Sequence, residues 1–344
     1  MSILNQFSAL SSALLVPVNT TIELTYRCNE RCGHCYLATY DDAEDGRPPL
    51  QPEEWKRILD QIAEAGGLML TLIGGEAMMH PQFWGIAEHG AKRAFALCLI
   101  TNGLLMDEKA ADRVADLGFY QIAISLYSLQ SEIHDRMTRR KGSHLRTLQA
   151  IERLKTRGIE LKLNCLLTHE NIDSIFELES WARAHQLQIQ FDPMVTPKSD
   201  GALDSTLKRA TPEQLYRYYT RLKVMDRGPG PVFVASMDDP VCNAGRGKCA
   251  INPYGDLLTC LEVRQPIGNL RDASFAELWR SSMAETLRNY KKSDLKFNPT
   301  CGDGSFCDHC PGMARAETGD PMSPTPFLME LARIKRRVFE GKTL

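Results

Sequence analysis

Residues 26–36, Tyr-Arg-Cys-Asn-Glu-Arg-Cys-Gly-His-Cys-Tyr, place Cys28, Cys32 and Cys35 in a C-x3-C-x2-C pattern. Three thiolates this close together can hold three irons of a [4Fe–4S] cube and leave the fourth iron without a protein ligand. A substrate or cofactor can bind at such an open iron. Zinc prefers a closed tetrahedron, and the nearby fourth ligand, His34, would have to turn back along its own chain. The pattern therefore favours an iron–sulfur cluster over zinc or plain buried thiols.

The composition is that of an ordinary globular enzyme. The 344 residues are 43% hydrophobic and 24% charged, enough for one large domain or a barrel with an appended unit. The formal net charge is −2 and no long basic run occurs, which disfavours nucleic acid as a partner. Residues 1–18 lack a positively charged start, so neither a signal peptide nor a membrane span is predicted. Eleven cysteines without a secretion signal indicate a reducing compartment, and we expect a cytoplasmic protein.

Strand-like and helix-like segments alternate through the first two thirds of the chain. Hydrophobic periodicity predicts six strands, at 20–26, 68–73, 95–100, 121–126, 159–167 and 187–192. It predicts six helices between and after them, at 52–64, 83–92, 107–117, 143–156, 172–184 and 211–224. This alternation implies parallel strands joined by right-handed crossovers. Periodicity alone does not separate an open doubly wound sheet from a partial barrel.

Residues 226–231, Asp-Arg-Gly-Pro-Gly-Pro, are rich in proline and glycine, which indicates a linker. We divide the chain into an N-terminal extension (1–18), a core (19–225), a linker (226–240), a small cysteine-rich domain (241–322) and a C-terminal helix (323–344). Residues 252–256, Asn-Pro-Tyr-Gly-Asp, predict a hairpin turn, so Cys242 and Cys260 flank a hairpin and can meet at one metal.

Polar residues and glycines follow several of the predicted strands. Gly74, Gly75 and Glu76 end the second strand, where paired glycines allow the backbone to approach a ligand closely. The exposed carbonyls, or the carboxylate of Glu76, can accept hydrogen bonds from an ammonium group. Thr101 and Asn102 follow the third predicted strand, Ser125 lies at the end of the fourth, and Asn164 is a polar residue within the fifth.

The cysteine run, with a histidine just before its third cysteine, resembles the signature of the radical S-adenosylmethionine (SAM) enzymes. The resemblance implies a partial (β/α)6 TIM-like barrel, with the cluster loop after the first strand. It also implies that SAM binds the open iron through its amino and carboxylate groups. One-electron reduction then yields a 5′-deoxyadenosyl radical, which abstracts a hydrogen atom from the substrate.

The same resemblance implies a set of SAM contacts in the expected order along the chain. Residues 74–76 resemble the motif that holds the SAM amino group, although Ala77 replaces the usual proline. For Arg136 an ion pair with Asp135 is an equal alternative, and Met194 is as often a packing residue. No catalytic acid or base is assigned. The expected SAM contacts are His34, Gly74, Gly75, Glu76, Thr101, Asn102, Ser125, Arg136, Asn164 and Met194.

The later cysteines resemble the SPASM and twitch extensions of radical SAM enzymes, which carry auxiliary [4Fe–4S] clusters. The match is a C-x12-G-x4-C element from Cys242 to Cys260, followed by a C-x5-C-x2-C element. Asn298 stands where a full SPASM set has another cysteine, and no cysteine follows Cys310. One auxiliary cluster is therefore favoured, while a second, incompletely ligated cluster and two zinc sites remain alternatives. The twitch-like ligand set would be Cys242 and Cys260 with the Cys307–Cys310 pair, and Cys249 and Cys301 are candidates to replace or supplement them. The candidate ligands are therefore Cys242, Cys249, Cys260, Cys301, Cys307 and Cys310.

Residues 310–320 resemble the end of SPASM enzymes that modify ribosomally synthesised peptides. The resemblance implies crosslinking or epimerisation of a peptide substrate. It also implies a low-potential electron donor such as flavodoxin or ferredoxin. A discrete leader-peptide recognition protein is expected too, because the cluster loop begins at Cys28 and leaves no space for an N-terminal recognition domain. The alternatives are a radical SAM dehydrogenase or decarboxylase of a small molecule or cofactor precursor, and a zinc-stapled interaction protein.

Overall fold

The computed structural model describes residues 10–42 and 46–344, so predictions that concern residues 1–9 lie outside the described residues. The predicted alternation of strands and helices in the core is confirmed. The core strands are β1 (Asn19–Glu23), β2 (Met69–Ile73), β3 (Ala96–Thr101), β4 (Gln121–Ser125), β5 (Leu161–Leu166) and β6 (Gln188–Asp192). The core helices are α1 (Pro52–Glu64), α2 (Phe83–Lys92), α3 (Glu108–Asp116), α4 (Ser131–Thr138), α5 (Ser143–Lys155), α6 (Ile175–Ala184) and α7 (Pro212–Val224).

The six core strands pair in parallel in the order β6-β5-β4-β3-β2-β1. Because this order never reverses, right-handed crossovers place all the connecting helices on one face of the sheet. A doubly wound sheet would need a reversal. The sheet curves without closing, so the partial barrel is the correct alternative of the two that periodicity left open.

The cysteine-rich region continues the same sheet. Its strands are β7 (Lys248–Ile251), β8 (Asp256–Cys260) and β9 (Val263–Asn269). Strand β7 pairs in parallel with β1, so that Cys249 lies opposite Thr20, and β8 and β9 complete an antiparallel meander. The later helices are α8 (Phe275–Trp279), α9 (Ser282–Arg288), α10 (Pro311–Thr318) and α11 (Pro326–Glu340). No helix in the described ranges is long and apolar enough to cross a membrane.

Helix α1 illustrates how the sequence builds the packed layer. Gln51 and Glu54 form a capping box, and Pro52 occupies the first turn, where its missing N–H costs nothing. The helix buries Trp55, Ile58, Leu59 and Ile62, which recur at helical spacing on one face. Each such side chain contributes roughly 1.5–3 kcal/mol when it is fully buried. Helix α1 packs on one face of β1 and β2. This packing holds in place the loops that follow the carboxyl ends of the two strands.

Helix α4 and the break between α8 and α9 were absent from the sequence prediction. Helix α4 is eight residues long, and Glu132, Asp135 and Arg136 interrupt its apolar spacing. The helical periodicity of residues 275–290 predicts one continuous helix, but the Ser281 side chain accepts a hydrogen bond from the Ala284 N–H and starts a new helix. Short polar helices carry little periodic signal, which explains why both were missed.

A buried ion pair joins β1 to β9 and to the cluster loop. Arg264 donates from Nη1 to Glu23 Oε2 at 2.8 Å, and the Glu23 carboxylate is fully buried. Tyr36 Oη donates to Glu23 Oε1 at 2.7 Å, and the Arg264 guanidinium stacks over the Tyr36 ring at 4.8 Å. Three segments distant in sequence therefore meet at one carboxylate.

The variant Arg264→Met is expected to destabilise the protein by about 3–5 kcal/mol, because it leaves the Glu23 charge buried without its partner. Chemical denaturation followed by circular dichroism measures the loss. The matched control is Arg217→Met, which breaks the exposed Arg217–Asp173 pair and should cost about 0–1 kcal/mol. Equal losses for the two variants would contradict the role given to the buried pair.

Candidate functional site

A cavity of about 590 Å³ lies at the carboxyl ends of the core strands. Ligands bind at this end in parallel α/β folds, because the loops that follow the strands converge there. The cluster loop supplies Cys28, Cys32 and Cys35 to its wall. The cavity is also lined by residues at or beyond the ends of β2 to β6, namely Gly74, Gly75, Thr101, Asn102, Ser125, Tyr127, Asn164, Asp192 and Met194.

The end of helix α4 holds the cluster loop in place. The backbone N–H groups of Arg31 and Gly33 donate to the carbonyls of Thr138 and Met137, both at 3.1 Å. Arg31 also folds back and donates from Nη1 to the Cys28 carbonyl at 2.6 Å. These bonds hold the loop near both Cys28 and Cys32. The sequence analysis did not predict that the end of α4 contacts this loop.

The three thiols suit ligation of a cluster. All three are partly buried and line one wall of the cavity. Burial raises the pKa of Cys28 to about 12 and that of Cys32 well above its ordinary value. Free thiols would therefore stay protonated at neutral pH, and a cationic iron centre is what would hold them as thiolates. The residues present fit a [4Fe–4S] cluster with one open iron.

The second strand end contributes backbone rather than a carboxylate. Gly74 and Gly75 line the cavity, whereas the fully buried Glu76 side chain turns into the protein. Its carboxylate accepts hydrogen bonds from Thr101 Oγ1 at 2.8 Å, from the Asn102 N–H at 3.0 Å and from the Met78 N–H at 3.1 Å. Glu76 therefore links the ends of β2 and β3, and the glycine backbone is left to face a ligand.

Two polar residues face each other across neighbouring strands. Ser125 and Asn164 are directly paired in the register of β4 and β5, and both line the cavity. Asn102 donates from Nδ2 to Asn29 Oδ1 at 2.6 Å, next to Cys28. Thr101 and Met194 also line the cavity. These side chains form the polar half of the wall.

A ring pair forms the opposite, less polar side of the site. His34 packs edge-on against Tyr127 at 4.6 Å between ring centroids. Burial, together with the nearby charge of Lys208, lowers the pKa of His34 to about 4. The ring is therefore neutral at physiological pH and presents a flat surface on which an aromatic base can pack.

Arg136 differs from the other expected SAM contacts. It lies outside the cavity, its side chain is 55% exposed, and its Nε is 3.6 Å from Glu170 Oε1. Neither the SAM contact nor the ion pair with Asp135 that the sequence suggests for Arg136 is present, and its ion-pair partner among the described residues is Glu170. Only the fold shows that this face of α4 points to solvent.

Several cavity residues were missed by the sequence analysis. Asp192 and Glu262 are both partly buried, and burial raises the pKa of each. Gln190 and Asp192 share one face of β6, so their period-two spacing was an available signal. No comparable local signal identified Glu262, which reaches the cavity from the turn between β8 and β9. The other missed residues are Glu30, Tyr36, Tyr40, Tyr127, Lys162, Gln190 and Met313.

Four of the six later cysteines form one group. Cys242, Cys260 and Cys310 each interact electrostatically with the Lys248 ammonium group. Burial lowers the pKa of Lys248, but these thiols raise it overall. Cys249 is buried 3.4 Å from Thr20 Oγ1 and interacts with Cys260. This group of four has the number of thiols that one complete [4Fe–4S] cluster requires.

The two remaining later cysteines, Cys301 and Cys307, lie in different surroundings. Cys301 is exposed, while Cys307 is buried in a small apolar cluster with Phe306, Met313 and Leu328. Cys310, from the group of four, also lines the main cavity. The cluster loop and the cysteine-rich domain therefore face one shared space.

Comparison with protein families gives two matches along the chain. A model of the radical SAM superfamily matches residues 22–182, and a model of the SPASM iron–sulfur cluster-binding domain matches residues 242–311. The first range contains the cluster loop and the ends of β2 to β5. The second contains all six later cysteines.

Individual relatives cover most of the chain at low identity. The AdoMet-dependent heme synthase of Methanosarcina barkeri is 24% identical, over 89% of this chain and 94% of its own. The mycofactocin maturase MftC of Mycolicibacterium smegmatis is 26% identical, over 91% of this chain and 83% of its own. The crystal structure of Streptococcus suis SuiB bound to the precursor peptide SuiA aligns with a TM-score of 0.70 and 18% identity, over 92% of this chain and 78% of that chain. At this identity the structural likeness concerns the fold.

Proposed function

Because the chain belongs to the radical SAM superfamily and carries a SPASM-type iron–sulfur domain, we propose that it modifies a ribosomally synthesised peptide by hydrogen-atom abstraction. The modification is a crosslink or an epimerisation. The observation that carries the proposal is the shared cavity, which is lined both by Cys28, Cys32 and Cys35 and by Cys310. A substrate in this space would contact both cysteine sites. The similarity to MftC, a maturase, supports a peptide rather than a small molecule.

The first cofactor site is formed by the cluster loop and the strand ends. Cys28, Cys32 and Cys35 would hold a [4Fe–4S] cluster, and SAM would bind its open iron. Together these groups supply a one-electron source and a hydrogen-atom acceptor. The backbone of Gly74 and Gly75 is placed to accept hydrogen bonds from an ammonium group.

The remaining cavity residues position the bound nucleoside. Ser125 and Asn164 offer hydroxyl and amide groups to ribose oxygens, and His34 offers its ring to the adenine. The Tyr127 ring, packed on His34, keeps water from that side of the cavity. Thr101, Asn102 and Met194 complete the wall, while Glu76 acts by holding the two strand ends together.

The second cofactor site is the group formed by Cys242, Cys249, Cys260 and Cys310, which would hold one auxiliary [4Fe–4S] cluster. The Lys248 ammonium group would offset part of the negative charge of the four thiolates. We assign Cys301 and Cys307 no separate cluster, and Cys307 is the alternative fourth ligand, because Cys310 packs against the apolar cluster that contains it.

Two protein partners belong to the proposal. One is a low-potential electron donor, flavodoxin or ferredoxin, and the other is a discrete protein that recognises the leader peptide. Both fit a cytoplasmic enzyme, because cytoplasmic reductants keep thiols free to bind iron.

The second candidate function is conversion of a small molecule or cofactor precursor. The similarity to the AdoMet-dependent heme synthase of Methanosarcina barkeri favours it, since that relative matches over 94% of its length. The two candidates share the first chemical step and differ only in the substrate.

An anaerobic assay tests the function in two stages. Reconstituted enzyme with SAM and dithionite should form 5′-deoxyadenosine, and none at all would overturn the assignment of radical chemistry. Short peptides encoded beside the gene are then added and examined by mass spectrometry. A mass loss of hydrogen atoms, or exchange of a solvent deuteron into the peptide, supports peptide modification. Turnover of a small acid or a porphyrin precursor, with every peptide unchanged, supports the second candidate.

A further inference from the structure

The outer side of the cluster loop carries a group of basic side chains, which we call the basic rim. It consists of Arg31 on the loop, Arg139, Arg140 and Lys141 after helix α4, and Lys208. Around Gly33, a methyl group in place of its hydrogen would lie 2.9 Å from Lys208 Cε and 3.3 Å from Arg139 Nη2. Arg140 donates from Nη1 to the Asn29 carbonyl at 2.5 Å. The rim is therefore in direct contact with the backbone between the cluster cysteines.

The positive charge of the rim is largely uncompensated. Residues 131–146 contain five basic residues and only two acidic ones. One of these acids, Asp135, accepts hydrogen bonds from the N–H groups of Gly142 and His144. Lys208 pairs with Glu170, but Arg31, Arg139 and Lys141 are exposed and form no ion pair among the described residues. The Arg31 guanidinium donates to the Cys28 and Glu30 carbonyls and stacks over the Tyr40 ring, so within the described part of the rim Arg139 and Lys141 are the cations left for an acidic protein surface.

The basic rim also lies close to the cluster cysteines. The N–H groups of Arg31 and Gly33 bond to the end of α4, so the loop and the rim form one rigid unit. A protein that contacts Arg139 would lie next to the backbone of Gly33, the residue that follows Cys32. None of the five rim residues lines the cavity, so a donor on the rim would leave the substrate space unoccupied.

We propose that the basic rim is the docking surface for an acidic, low-potential one-electron carrier protein. One electron passes from the reduced carrier to the metal site held by Cys28, Cys32 and Cys35, and no atom or proton moves with it. The inference rests on the proposed function, since only a cluster that must be reduced needs such a carrier. Charge complementarity at the rim would accelerate encounter and make it sensitive to salt.

The test compares two charge-reversed double variants. The rim variant is Arg139→Asp with Lys141→Glu. Arg139 has φ of 54°, and aspartate tolerates this left-handed conformation better than most residues, so the backbone should be preserved. The control is Lys92→Glu with Lys109→Glu, two exposed lysines on α2 and α3 that form no ion pair among the described residues.

Two measurements are made on reconstituted enzyme with an acidic flavodoxin as the probe. The first is the rate at which photoreduced flavodoxin bleaches the cluster absorption at several salt concentrations. The second is the dissociation constant of oxidised flavodoxin. We expect the rim variant to be reduced roughly tenfold more slowly at low salt, with weaker binding and a flatter salt dependence. The control should behave like the wild type, and dithionite should reduce all three proteins equally.

Wild-type rates and affinity in the rim variant would overturn the proposal. A change in peptide binding with unchanged reduction by flavodoxin would also overturn it, because the rim would then serve an acidic leader peptide. If the double variant loses iron, the exposed single change Lys141→Glu gives the same comparison. Failure of the radical chemistry is recognised separately, because wild-type enzyme with dithionite would then form no 5′-deoxyadenosine.

Discussion

The variant Cys32→Ala is expected to abolish formation of 5′-deoxyadenosine from SAM. Cys32 lies between the two backbone hydrogen bonds that fix the cluster loop, and its thiol lines the cavity with those of Cys28 and Cys35. With two thiolates, only two of the four irons have protein ligands. The protein then holds the cluster too weakly for SAM to bind it productively. Product analysis by liquid chromatography after an anaerobic reaction with dithionite measures the effect.

A cysteine outside both metal sites provides the matched control. Cys98 lies buried in strand β3, and Cys98→Ala should leave iron content and product formation near those of the wild type. Iron and sulfide analysis should show a partial loss in Cys32→Ala, because the later cysteines still bind their cluster. Retention of full 5′-deoxyadenosine formation by Cys32→Ala would contradict the assignment of the first site.

The variant Gly75→Ala is expected to damage the first site without removing any ligand. A methyl group at residue 75 would lie 2.4 Å from the carbonyl oxygens of both Tyr26 and Arg27. These are backbone atoms that cannot rotate away, because the Arg27 carbonyl accepts a hydrogen bond from the Glu76 N–H at 2.9 Å and the neighbouring Thr25 carbonyl accepts one from the Gly75 N–H at 2.8 Å. The chain leading to Cys28 must shift, at a cost of about 1–3 kcal/mol or more.

Thermal unfolding and iron analysis together check the Gly75→Ala prediction. The midpoint should fall and the iron content should drop toward that of the auxiliary site alone. Gly85→Ala is the control, because Gly85 lies inside helix α2 and a methyl group there would lie 3.6 Å from the Gln82 side-chain oxygen, an ordinary contact distance. It should gain about 0.5–1 kcal/mol in unfolding free energy. Equal stability of the two alanine variants would contradict the close packing of residue 75 against the Tyr26 and Arg27 carbonyls.

The attachment of the cysteine-rich domain gives the fold a feature that bears on function. Strand β7 extends the barrel sheet from β1, and Arg264 on β9 reaches the Glu23 carboxylate beside the cluster loop. The two cysteine sites are thereby built on one sheet and face one cavity. A shift of either site would be transmitted through β1 and the Glu23–Arg264 pair.

Much of the core could be predicted because its signals are local. Period-two and period-3.6 hydrophobicity identified the six core strands and most helices, and glycine marked where several helices end. The exceptions were short or polar, such as helix α4. The sequence also placed Gly74, Thr101 and Ser125 at strand ends, and the structure brings all three to the cavity.

The direction of a side chain at a strand end was much less predictable. Glu76 follows two glycines that face the cavity, yet it turns inward because three donors on neighbouring segments satisfy its carboxylate. Arg136 points to solvent because the helix that carries it packs with its other face on the protein. In both cases the deciding partners are distant in sequence or belong to another element.

The sequence by itself determined the ligand spacing of the first cluster loop and the alternation of strands and helices, because both are properties of short contiguous segments. Only the tertiary structure decided that β7 joins β1, that Cys310 shares a cavity with Cys28, and that a basic rim covers the back of the cluster loop. These relations depend on which distant segments bury their backbone and apolar surface together. Which segments pack together depends on the free energy of the whole folded chain, so it cannot be predicted from a local sequence pattern.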